Sequence, residues 1–232
     1  MTEPVILSLP FADRWRAVNS PARRVPSHGS NILGTRFAID FVAVDDRGRT
    51  ARDWSLGTLV GTEPADRFIA FGLPILSPID GIVVAVHDGE VDHEARRSPL
   101  TLIGYMLGQA GRLRAGLTSI AGNHVLIATP DGAVVGLMHL RAGSLRVAIG
   151  DSVSVGTPLG ECGNSGNSTQ PHVHVQVMDN EDAMVANGLP LAFRGYREWV
   201  RGAAIERPTE APAEGAVTLG RHAKKRPAGP PF

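Results

Sequence analysis

The stretch Gln170-Pro-His-Val-His-Val-Gln-Val177 decides how the chain is read. An extended strand points successive side chains to opposite faces, so His172, His174 and Gln176 fall on one face. Val173, Val175 and Val177 fall on the other, which predicts a strand with its valines in a core. Two imidazoles side by side on a polar face suit a divalent cation that takes nitrogen ligands. Adjacent histidines also occur on surfaces without such a role, so the weight of this pair depends on what surrounds it.

Two further residues give it weight. In Leu137-Met-His-Leu140, alternation puts His139 on the face of Leu137 and opposite Met138 and Leu140. In Arg36-Phe-Ala-Ile-Asp-Phe-Val42, the pattern sets Phe37, Ile39 and Phe41 on one face and Asp40 inside an otherwise apolar strand. A carboxylate there is costly unless partnered, whether by a cation or by Arg36. More strands are expected at Pro74 to Val86 (two, around a Ser-Pro-Ile-Asp-Gly turn), Asn123 to Ala128, Ala133 to Leu140 and Ser144 to Ala148. Short strands joined by glycine-rich turns predict a mostly β fold, an antiparallel sandwich or open barrel.

The composition agrees. Glycine (27) and proline (17) are abundant and aromatics are 5% of the 232 residues, a profile of many tight turns. Lys+Arg and Asp+Glu are 23 each, so no net charge draws the chain to nucleic acid or an acidic membrane. One cysteine, Cys162, excludes an internal disulfide and a thiolate-rich metal site. The longest apolar stretch, Phe68 to Val86, is broken by Pro74, Pro78 and Asp80, so no membrane span is expected. The N-terminus lacks a basic segment before a long apolar run, so no signal peptide is recognised; the chain reads as cytoplasmic as written, with its location and any other export route left open.

Three regions are expected. Residues 1–34 read as an irregular segment packing on the domain, residues 35–202 as the domain itself, and residues 203–232 as a flexible Pro/Ala-rich tail. Residues 88–116, charged and glycine-flanked, read as an insertion with a short helix near Leu100 to Leu113.

The ordered motifs resemble a known family. His139-Leu-Arg-Ala-Gly-Ser-Leu-Arg-Val147, Gly150-Asp-Ser-Val153, Gly156-Thr-Pro-Leu-Gly160, Gly163-Asn-Ser-Gly-Asn-Ser168 and Pro171-His-Val-His174 resemble the lysostaphin/LytM-type zinc metalloendopeptidases. Ala38-Ile-Asp-Phe41, Leu76-Ser-Pro-Ile-Asp-Gly81 and Gly122-Asn123 extend the likeness over roughly residues 35 to 178, outside the 88–116 insertion. The resemblance implies the LytM-like barrel-sandwich hybrid fold and a metalloendopeptidase acting on peptide bridges of cell-wall peptidoglycan. It implies zinc held by Asp40 and His174, with His139 and His172 as catalytic histidines.

The family's first motif is His-x-x-x-Asp with both ends on zinc, and here Arg36 stands four residues before Asp40. A guanidinium has no lone pair to offer a cation. Four residues of extended strand span about 13 Å, so a ligand there belongs to the loop leading in. His28, in Pro26-Ser-His-Gly29, is the upstream histidine that could replace it, with Gly29 and Gly34 free to fold the loop back. Otherwise His28 is a turn histidine, and the protein is a degenerate, non-catalytic binding or regulatory factor. With three ligands, one of His139 and His172 would be the base and the other would stabilise the oxyanion. The run Gly160 to Gly166 would wall the metal site, or be a plain hairpin loop. Biotinyl and lipoyl carrier domains resemble the same strand plan but need a lysine on a hairpin, and the only lysines are Lys224 and Lys225. A phosphohistidine-type transfer domain fits Asp40 and the His172/His174 pair less well than a metal does. His87, His93, His124 and Cys162 read as packing or surface residues.

Overall fold

The structure is a computed structural model that describes residues 3–53, 61–98 and 117–220. Among these residues the strands are β1 (Val5–Leu7), β2 (Arg14–Val18), β3 (Ile39–Ala43), β4 (Pro74–Leu76), β5 (Gly81–His87), β6 (Asn123–Ala128) and β7 (Val134–Leu140). They continue with β8 (Ser152–Val153), β9 (Pro158–Glu161), β10 (Val173–Met178), β11 (Leu191–Phe193), β12 (Arg197–Val200), β13 (Ala203–Glu206) and β14 (Val217–Leu219). One short α-helix, α1 (Leu117–Ala121), precedes β6. The fold is mostly β, as the turn-rich composition implies.

Ten strands form one antiparallel sheet in the order β13-β12-β14-β2-β3-β10-β7-β6-β5-β8. Two small sheets, β4-β9 and the parallel pair β1-β11, supply the other side of the core. Val173, Val175 and Val177 of β10, with Ile39 and Phe41 of β3, pack against Ile75, Leu159 and Phe193 from those small sheets. Each such side chain contributes about 1.5–3 kcal/mol relative to exposure. The opposite face of β10 is buried as well, and it carries the site.

Strand β3 begins at Ile39 rather than Arg36, because Ile32–Phe37 form a 3₁₀ segment. Leu33 (φ 56°) and Gly34 (φ 71°) are left-handed there, which turns the incoming chain sharply. No strand forms at Ser144 to Ala148. The Asp88 carboxylate accepts from the N–H groups of Gly143 (2.7 Å) and Leu145 (3.3 Å), so the entry to this segment is bound by a side chain rather than a ladder.

Both ends of the chain differ from expectation. Residues 1–34 are not irregular throughout: β2 lies beside β3, and Trp15 and Phe11 are fully buried with rings stacked at 4.6 Å. The expected flexible tail from Ala203 is ordered through residue 220. Strand β13 forms a hairpin with β12, and β14 joins β12 to β2. Gly220 passes so close to the Phe11 carbonyl that a side chain there would collide with it. Pro212, Ala216 and Thr218 are buried there, which composition alone does not reveal. The expected helix near Leu100 to Leu113 and residues 221–232 lie outside the described residues.

Candidate metal centre

The centre grows from one register position. In the β3–β10 ladder Asp40 stands directly opposite His174, and Phe41 opposite Val173. Ladder pairing sends Asp40 and His174 to the same face while their neighbours enter the core. His174 Nδ1 lies 2.8 Å from Asp40 Oδ1.

His28 reaches the same carboxylate from the incoming loop, with Nε2 3.1 Å from Asp40 Oδ2. The Ser27 N–H donates to the Arg36 carbonyl (3.0 Å), closing the loop on itself, and Gly29 has φ +79°. The two glycines that the sequence suggested as hinges are therefore both left-handed. Arg36 is exposed: its Nη1 donates to Asn31 Oδ1 (2.9 Å) and makes no ion pair with Asp40. One ligand atom each from His28, Asp40 and His174 fall within 4.8 Å of one another. Two imidazoles and a carboxylate are a donor set that zinc accepts, so the residues present fit the ion.

His172 sits at the mouth of β10, with Nε2 3.6 Å from Asp40 Oδ1. Its Nδ1 faces the Gln170 carbonyl at 2.8 Å. His139 Nδ1 faces the Ser165 carbonyl at 3.0 Å. A carbonyl oxygen only accepts, so both Nδ1 atoms carry protons and, in the neutral rings, Nε2 holds the lone pair. The His139 and His172 ring centres are 4.7 Å apart.

His139 is a non-glycine residue with φ +64°, which costs about 1–2 kcal/mol. The turn there overturns the expected alternation. His139 lines the cleft together with Met138, while Leu137 and Leu140 both enter the core. The β7–β10 pairing ends at Met138 and the β6–β7 register shifts nearby, so the strand leaves its ladder and re-aims the imidazole.

Burial works to raise the Asp40 pKa, but the charges of His28 and His172 and hydrogen bonds from His174 and His28 hold it well below the usual carboxylate range. For His139, burial followed by the charges of His172 and His174 pushes the pKa well below that of a free histidine.

Two residues join the site without having been singled out. Asn19, left-handed at φ +52° just after β2, donates from Nδ2 to Asp40 Oδ2 at 2.7 Å. Asn19 tolerates that backbone, and nothing in local periodicity points to it. Ser165 enters through its carbonyl, which no side-chain pattern reveals. Gly160 to Gly166 do not wall the cleft, and the tight contacts of Gly163 on Arg141 and of Gly166 on Gly122 show a run shaped for packing. His124 is buried, and its ring stacks on that of His87 at 5.7 Å, away from the centre.

The five residues open into a cleft of about 510 Å³. The chain matches the sequence profile of peptidase family M23 over residues 65–186, just over half its length. That span carries His139, His172 and His174, while His28 and Asp40 precede it. Among solved structures, the chain is similar to the catalytic domain of the prophage-encoded M23 protein EnpA from Enterococcus faecalis (20% identity, TM-score 0.37, 66% of this chain and 73% of that one). It is similar to the catalytic domain of the antimicrobial peptidase lysostaphin from Staphylococcus simulans (20%, 0.34, 61% and 86%). It is also similar to the deep-sea M23 metalloprotease pseudoalterin (15%, 0.42, 97% and 100%). With a profile match over that span, the chain belongs to peptidase family M23.

Proposed function

We propose that this protein is a zinc-dependent endopeptidase that hydrolyses peptide bonds in cell-wall peptidoglycan cross-links or related short peptides. The observation that supports it best is the convergence of His28, Asp40 and His174 within 4.8 Å, beside two more histidines with Nε2 free of backbone partners. His28, Asp40 and His174 would hold the metal. When bound, zinc supplies Lewis acidity, polarising a peptide carbonyl and lowering the pKa of water to about 7.

The rest falls to side chains. His139 and His172 flank the position a scissile carbonyl would take. One accepts a proton at Nε2 from the attacking water and returns it to the leaving amine, and the other, protonated, donates to the developing oxyanion. The Ser165 and Gln170 carbonyls fix the tautomer of both rings in advance. Asp40 is the only Asp, Glu, Lys or Arg among the described residues lining the cleft. Ile32, Ile120 and Met138 line its apolar part, which favours a peptide with small, uncharged side chains on both sides of the bond. No helix among the described residues is long and apolar enough to cross a membrane.

The test is metal analysis of the purified protein, followed by incubation with defined cross-link peptides with and without a chelator. The expected result is one zinc per chain and cleavage that stops on chelation and returns with added zinc. Full zinc occupancy with every peptide intact would instead make the protein a non-catalytic binding or regulatory factor.

A further inference from the structure

His174 has a second nitrogen, and its partner is fully enclosed. Nε2 lies 2.9 Å from Gln176 Oε1, and Gln176 is 1% exposed. The other end of the same amide donates from Nε2 to the Leu33 carbonyl at 2.9 Å. This orientation is forced. The Leu33 carbonyl has no proton to give, so the NH₂ must face Leu33 and the oxygen must face His174. An oxygen facing His174 Nε2 requires a proton there, so Nδ1, which donates to Asp40 Oδ1, is the nitrogen that would release its proton to take a metal.

The same amide ties together two ligand-bearing elements. Leu33 belongs to the left-handed pair Leu33–Gly34 on the loop that carries His28. A Cβ at Gly34 would lie 2.5 Å from Met178 Cγ and 3.3 Å from Gln176 Nε2, so the loop is seated directly on β10. His28 and His174 are far apart in the chain, and Gln176 is a polar side chain bonded on one side to His174 and on the other to the loop of His28.

We propose that Gln176 is a positioning residue of the metal centre. It selects the His174 tautomer that presents Nδ1, and it fastens the His28 loop against β10. This rests on the zinc reading above. Losing a residue that hydrogen-bonds the far nitrogen of a metal-binding histidine typically changes metal affinity 10–100-fold. Replacement by methionine, close in volume and without an amide, removes both of these bonds and a third, from Nε2 to Met178 Sδ (2.8 Å). Replacement by glutamate keeps an acceptor for the His174 Nε2 proton and removes the donor to Leu33.

The experiment measures zinc affinity of the full chain by competition with a chromophoric chelator, together with ¹⁵N NMR of the zinc-loaded protein. Wild type is expected to bind one zinc through His174 Nδ1, with a solvent-protected proton on Nε2. Gln176→Met is expected to bind about 10–100-fold more weakly with faster exchange of that proton, and Gln176→Glu to fall between the two. Zinc on Nε2 of wild type, or equal affinity of Gln176→Met and wild type, would overturn the assignment while leaving the zinc site standing. Gln176→Glu as weak as Gln176→Met would overturn the tautomer role. Wild type that takes up no zinc would overturn the zinc reading itself, and the Gln176 role with it.

Discussion

His28 and Asp40 are twelve residues apart in the chain, yet His28 Nε2 lies 3.1 Å from Asp40 Oδ2, while Arg36, four residues from Asp40, points to solvent. The loop between them, not the strand, sets which side chain meets the carboxylate. If His28 is the third ligand, His28→Ala should weaken zinc binding by more than the 10–100-fold typical of losing a residue that only orients a ligand. Arg36→Ala should leave zinc affinity unchanged. Isothermal titration of both variants distinguishes them, and equal affinity of His28→Ala and wild type would remove His28 from the site.

His139 and His172 should separate from the ligands by their kinetics. Each has its Nδ1 held by a backbone carbonyl and takes no part in the three-residue cluster. Substituting either with alanine is expected to lower kcat by about 10²–10⁴ with zinc stoichiometry kept at one per chain. His174→Ala should instead lose the metal. Metal content and turnover measured on the same samples check both statements.

Gly34 and Gly29 are both left-handed, but only one is crowded. Alanine at Gly29 (φ +79°) meets nothing within 4 Å, so its cost is the backbone penalty of about 1–2 kcal/mol. Alanine at Gly34 (φ +71°) adds a collision with Met178 Cγ at 2.5 Å. Gly34→Ala should therefore lower the unfolding free energy more than Gly29→Ala does. It should also weaken zinc binding, since the His28 loop must shift. Urea unfolding and chelator competition give the two readouts.

The strand face of the site was legible because a β-strand has a period of two. His172, His174 and Gln176 against the three valines needed nothing beyond alternation. His139 was found as a residue but placed on the wrong face, since its φ of +64° breaks the period and no L-residue advertises that in sequence. Asn19 lies outside any motif and arrives only because β2 pairs with β3. Long-range pairing also explains the misread ends: β1 meets β11 and β14 meets β2 across nearly the whole chain, and composition carries no record of a partner so far away.

That pairing has a consequence for truncation. β14 sits between β12 and β2, the Thr218 hydroxyl donates to the Trp15 carbonyl (3.0 Å), and the Ser20 N–H donates to Glu214 (2.8 Å). Ending the chain after Glu206 would leave two strands with unpaired edges and uncover the Trp15 region. The truncated protein should unfold at a markedly lower temperature than the full chain in calorimetry. An unchanged Tm would show that residues 207–232 are dispensable for stability.

His124 should govern part of the acid limb of stability. Burial lowers its pKa, the Gly122 carbonyl accepting from Nδ1 opposes this, and the charge of His87 on the neighbouring strand lowers it further. Glu90 also lies near the pair, 3.5 Å from His87 Nε2. With the folded pKa below the unfolded value near 6.5, the unfolded chain binds more protons as pH falls. The stabilising effect of a neutral His124 is thus complete above about pH 6.5 and is lost as pH drops toward the folded pKa. His124→Gln should flatten this limb, so the stability difference between wild type and variant should shrink or reverse between pH 7.5 and 5.5. Chelator in both samples removes any metal contribution, and the difference between the two proteins in urea unfolding at each pH cancels what they share. Parallel curves for the two proteins across that range would show that His124 does not titrate on unfolding.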